Sequence, residues 1–106
     1  MDRFAVTYRL RPGAREKYIE AHNKIWPEMR DVLARGGIRQ MTIFLRGDTL
    51  FLYANVENRA IYQALKATDP VCKRWDAFMA TLLDQPFDAS EPGIFAGLDE
   101  IWHIEP

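Results

Sequence analysis

Alternating apolar runs at the start and middle of the chain, stretches of helical spacing between and after them, and one tight glycine turn predict an α+β fold. The expected order is βαββαβ, a ferredoxin-like antiparallel sheet with helices on one face. Phe4, Val6, Tyr8 and Leu10 alternate with Ala5, Thr7 and Arg9, the period of a half-buried strand. Arg11-Pro12-Gly13 ends it. From Ala14 the spacing turns helical, with Ala14, Tyr18, Ala21 and Ile25 on one face. Pro27 should kink or restart that helix, because it lacks an N–H and clashes with the preceding turn. Met29, Val32 and Leu33 carry the pattern on to a Gly36-Gly37 stop.

A second strand is expected from Ile38 to Leu45 and a third from Leu50 to Val56, joined as a hairpin through Gly47-Asp48. Arg59 to Ala67 reads as a short helix. Asp69-Pro70 then offers an N-cap and an N1 proline for another, with Val71, Trp75, Phe78, Met79, Leu82 and Leu83 as its apolar stripe. Asp84 to Gly97, with Pro86, Ser90, Pro92 and Gly93, reads as a long loop. Ile101-Trp102-His103-Ile104 is expected to close the sheet as a final strand. At 106 residues, without a linker, repeat or low-complexity tract, residues 1–106 read as one domain.

Composition narrows the function classes. Hydrophobic residues make up 48% and charged residues 27%, with fourteen basic against fifteen acidic side chains and a net charge of −1. No Lys/Arg run marks a nucleic-acid or anionic-membrane surface. No stretch reaches the roughly eighteen apolar residues of a transmembrane helix, and Met1-Asp2-Arg3-Phe4 runs directly into a strand without a signal-peptide core. The single Cys72 cannot form an internal disulfide, which points to a reducing cytoplasm. The third strand is apolar on both faces, with Leu50, Leu52, Ala54 and Val56 on one and Phe51 and Tyr53 on the other. A sheet covered on one side should have a polar second face, so that face is expected to meet another subunit or line a pocket.

Residues able to carry chemistry are few. The chain has no Gly-rich phosphate loop, no CxxC and no HExxH, so no cofactor is expected. The two histidines lie far apart without ligand-like spacing, so no metal is expected either. Cys72 reads as a small core hydrophobe. The dense segment is Tyr18 to Glu28. Tyr18 and His22 are i and i+4 and project from one helix face, which Ile25 and Met29 turn toward the sheet. An imidazole there can titrate near neutrality and both give and take protons. On pattern alone, a half-buried histidine bonded to backbone is the commoner outcome, and Tyr18 is more often core. Trp75, flanked by Arg74 and Asp76, reads as core or as a ring that stacks on a sugar. His103 reads as structural.

These stretches resemble the L-rhamnose mutarotases. The likeness rests on Tyr18, on His22-Asn23, on Ile25-Trp26-Pro27-Glu28, and on Thr68-Asp69, Val71-Cys72 and Arg74-Trp75. It runs along nearly the whole chain to Pro106. It implies a dimeric α+β barrel with a sugar pocket between sheet and helices, His22 as the proton-transfer residue, and Tyr18 and Trp75 as sugar contacts. The implied reaction interconverts the α and β anomers of L-rhamnose without metal or cofactor. Three positions depart from the family pattern. Met41 stands for a tyrosine, Asp76 for a second tryptophan, and the Gln85 to Gly97 loop differs. Met41 and Asp76 are therefore expected to touch substrate and to shift its preference, with L-fucose the obvious competitor. Two other classes remain open: a small dimeric α+β barrel oxygenase, and a non-catalytic dimeric ligand-binding module.

Overall fold

In a computed structural model, which describes residues 1–84 and 97–106, the sheet runs in the order β2-β3-β1-β4. The central strands are β1 (Asp2–Leu10) and β3 (Thr49–Val56), paired antiparallel with Phe4 opposite Ala54, Val6 opposite Leu52 and Tyr8 opposite Leu50. Strand β2 (Ile38–Arg46) flanks β3 through the hairpin, whose turn places Gly47 at φ +59°, a region that favours glycine. The predicted alternation becomes a two-faced sheet. Phe4, Val6, Leu10, Leu50, Ala54 and Val56 are buried on the inner face, while Thr7, Arg9, Phe44, Phe51 and Tyr53 are exposed on the outer.

Four helices follow from local signals. α1 (Arg15–Asn23) stops short of Pro27, and α2 (Pro27–Arg35) starts on that proline. Trp26, held extended by the proline after it, joins them at φ −57°, ψ 133°. Gly37 follows α2 at φ +87°, the left-handed turn that ends it. α3 (Arg59–Thr68) is capped by Asn58 Oδ1, which accepts from the Ile61 N–H. α4 (Pro70–Ala80) is capped by Asp69, whose Oδ1 accepts from the N–H groups of Val71 (2.8 Å) and Cys72 (3.4 Å). The stripe continuing to Leu82 and Leu83 outlasts the helix, and both residues are buried beyond its end. Among the described residues, no helix is long and apolar enough to cross a membrane.

The closing strand differs from expectation. Ile101 to Ile104 form no strand; the fourth is the two-residue β4 (Leu83–Asp84), with Leu83 opposite Leu10 and Asp84 opposite Arg9. The outer edge of β1 is thus taken at one end by β4 and at Ala5 by a single bridge to Leu98. The chain beyond Leu98 is tied by side chains instead. Arg3 donates to His103 Nε2 (2.8 Å) and to Glu100 Oε1 (2.6 Å), while Ile101 and Trp102 stay exposed. Arg11 fixes the β1–β4 corner, its guanidinium donating to the carbonyls of Leu83 (2.9 Å) and Ala80 (3.1 Å). Of the expected Asp84 to Gly97 loop, residues 85–96 lie outside the described residues.

Candidate active site

Between the inner face of the sheet and the helices lies a cavity of about 90 Å³. Tyr18, His22, Met41, Trp75 and Asp76, distributed over α1, β2 and α4, all line it. Its floor is sheet and its roof is helix, so the walls are set by the same alternation and helical spacing that build the core.

His22 sits one turn after Tyr18, and its Nδ1 lies 2.8 Å from the Tyr18 carbonyl oxygen. A carbonyl only accepts, so Nδ1 carries the proton and the neutral ring presents Nε2 as a base. The ring packs 4.2 Å from that of Tyr18 and meets Trp75 edge-on at 5.3 Å, centroid to centroid. Trp26, in the link between α1 and α2, is edge-on to Trp75 at 5.0 Å and stacked on Phe78 at 6.0 Å, so aromatic rings pack against Trp75. Burial lowers the His22 pKa from its ordinary value, and the Tyr18 carbonyl bond opposes that shift without cancelling it. Burial raises the Tyr18 pKa to about 12, so its phenol is neutral near pH 7 and can donate. Tyr8 and Tyr62 are raised as well, first by burial and then by neighbouring groups that include Asp76.

Three polar residues of the cavity are not singled out by the sequence pattern: Tyr8, Tyr62 and Lys66. Tyr8, expected on a strand face, lines the cavity, as does Tyr62 of α3. Lys66 on α3 is 9% exposed and pairs with Asp76 Oδ1 at 3.1 Å. Its signal was present: Lys66 lies four residues after Tyr62 on the buried face of α3, where a lysine has no place unless it finds a partner. His103 stands apart, in the Arg3 cluster with Glu100 and Glu105.

The sequence profile of the L-rhamnose mutarotases matches residues 3–104. An L-rhamnose mutarotase of Listeria monocytogenes (serovar 1/2a) is 39% identical over 98% of this chain and 99% of its own length. One from Burkholderia cenocepacia is 35% identical over 99% and 100%. Among solved structures, the L-rhamnose mutarotase of Formosa agariphila superposes with a TM-score of 0.79 at 25% identity, covering 99% of this chain and all of that one. Tetracenomycin F2 cyclase of Streptomyces glaucescens shares the fold at 14% identity, with a TM-score of 0.73 and coverage of 100% and 98%. Its likeness concerns architecture alone. Fold, cavity and relatives define a small α+β isomerase acting on carbohydrate. The chain belongs to the L-rhamnose mutarotase family.

Proposed function

We propose that the protein is an aldose mutarotase that interconverts the α and β anomers of a 6-deoxy-L-hexose, L-rhamnose or L-fucose, with His22 as the general acid–base. The observation that carries this reading is the His22 ring itself. Its Nδ1–H is spent on the Tyr18 carbonyl, and its other nitrogen belongs to a residue lining an aromatic-walled cavity. Nε2 takes the proton of the C1 hydroxyl as the bond from C1 to the ring oxygen breaks, and the resulting imidazolium returns that proton to the ring oxygen. The open-chain aldehyde rotates about its C1–C2 bond, and the reverse steps close the ring on the other face. Protons balance over the cycle, and nothing is oxidised or reduced. A base of lowered pKa suits the work, because it is unprotonated at neutral pH and gives its proton up readily. Trp75 offers a face to the apolar side of the sugar, and the neutral Tyr18 phenol a donor to a hydroxyl.

Met41 and Asp76 supply the specificity in this reading, one apolar and one acidic where the family pattern has aromatic rings. The working unit is a homodimer joined through the outer sheet face, and the setting is the cytoplasm. Saturation-transfer NMR on aqueous L-rhamnose and L-fucose tests the activity. The expected result is protein-dependent anomer exchange with at least one of the two. Exchange of neither above the spontaneous rate would overturn the proposal, and an oxygenase or passive binding module would give that outcome.

A further inference from the structure

Lys66 is the one nearly buried ammonium among the described residues, and it lines the cavity beside Asp76. Withdrawing the Lys66 charge from water, with Asp76 half-buried beside it, is unfavourable unless further hydrogen bonds complete the ammonium. Their mutual contact uses one of three ammonium protons and part of one carboxylate oxygen's capacity. The rest of the cavity is mainly apolar or aromatic: Phe4, Val6, Met41, Ile43, Leu52 and Met79 line it with the tyrosines. A charge-balanced donor–acceptor pair therefore sits at the wall of a pocket whose other polar lining residues are Tyr8, Tyr18, Tyr62 and His22. The pair spans α3 and α4, so the packing of the two helices fixes its geometry.

Resting on the mutarotase reading, we propose that Lys66 and Asp76 form a clamp for a vicinal pair of ring hydroxyls and so select neutral sugars that carry that diol. The 3.1 Å between Nζ and Oδ1 is comparable to the gap between gauche vicinal hydroxyl oxygens, so one hydroxyl can accept from Lys66 while its neighbour donates to Asp76. The two charges cancel, which favours a neutral sugar over an acidic or phosphorylated one. The C1 hydroxyl belongs to His22, so the clamped pair is C2–C3 or C3–C4. The C3 hydroxyl is common to both.

The test is a cycle between residue and hydroxyl. 1,5-Anhydro-L-rhamnitol, which has no anomeric hydroxyl and cannot exchange, and its 3-deoxy counterpart are titrated calorimetrically into the intact protein. Removing the C3 hydroxyl should weaken binding by about 10- to 100-fold, as for a hydrogen bond to a charged group. In the Lys66→Met/Asp76→Leu double variant the two ligands should bind within about 3-fold of each other, with the thermal midpoint held or raised because no charge is left unpaired. A pair that served only to join α3 to α4 would leave the discrimination untouched. If the double variant does not fold, Lys66→Gln/Asp76→Asn carries the same comparison, with the penalty expected to shrink at least 5-fold because both hydrogen bonds lose their charge. Equal binding of the two ligands by the parent overturns the clamp, as does a folded variant that keeps the parent's discrimination. L-Rhamnose anomer exchange measured alongside separates the two ideas. Exchange without a C3 penalty sinks the clamp alone, and a C3 penalty without exchange sinks the mutarotase reading alone.

Discussion

His22 holds its proton less tightly in the folded chain than in the unfolded one, because burial disfavours the imidazolium. Two pH effects follow. Catalysis through unprotonated Nε2 should be level around neutrality and decline on an acid limb below the ordinary histidine value of about 6.5; a pH–rate profile of kcat/KM checks this. Between the folded and unfolded pKa values the unfolded chain binds more protons, so stability rises with pH in that window. The contribution is fully present above about 6.5 and is lost as pH falls through the lower folded value. Thermal midpoints from pH 5 to 7.5 should show that slope in the parent and a flatter one in His22→Ala. The Tyr18–His22 relation was readable from i, i+4 spacing, since one helical turn dictates one face. The tautomer was not, because it depends on where the Tyr18 carbonyl falls. The burial of Lys66 is legible in its spacing after Tyr62, but its partner Asp76 is not, because it lies on another helix and spacing within one element cannot reveal such a pair.

At the level of elements, the site depends on where α4 begins. Asp69 accepts from two orphan N–H groups at that start and lies 3.6 Å from the Arg35 guanidinium, so it sets the phase that brings Trp75 and Asp76 to the cavity. Asp69→Ala should cost about 1–2 kcal/mol, measurable as a lowered urea midpoint at unchanged m-value. Gly36 is a second control point, since a Cβ built there would lie 2.8 Å from Cδ1 of Tyr62, which lines the cavity. Caps, prolines and glycines placed the helices from sequence well because their physics is local. The last strand misled for the opposite reason. Ile101 to Ile104 carries β-favouring residues, but a strand exists only where a sheet edge accepts it, and β4 and Leu98 already occupy that edge of β1.

At the scale of the whole molecule, the two-faced sheet leaves an aromatic outer surface. Phe44 and Phe51 are cross-strand partners, exposed by 62% and 41%, with Tyr53 beside them at 37%. Such a cluster is the kind of surface a self-complementary interface buries. The proposed homodimer should therefore sediment as two copies at micromolar concentration, and Phe51→Asp should shift it to monomer with the fold retained. A monomeric parent would remove the interface from the account. The apolar character of Phe51 and Tyr53 was legible in the alternation, whereas Phe44 entered only with the register that sets it opposite Phe51.

His22→Ala links all three scales, because it removes the base and leaves sheet, helices and outer face in place. Truncation opens onto a cavity rather than packed core, so the thermal midpoint should fall by no more than a few degrees. The decisive measurement is the saturation-transfer rate of anomer exchange for this variant and its parent, at equal concentration, on the sugar the parent turns over. The expected result is a folded variant whose catalysed rate is lower by about 10²- to 10⁴-fold, the range for loss of a positioned acid–base group. A folded variant that exchanges anomers at the parent rate would contradict it and move the chemistry to another residue of the cavity.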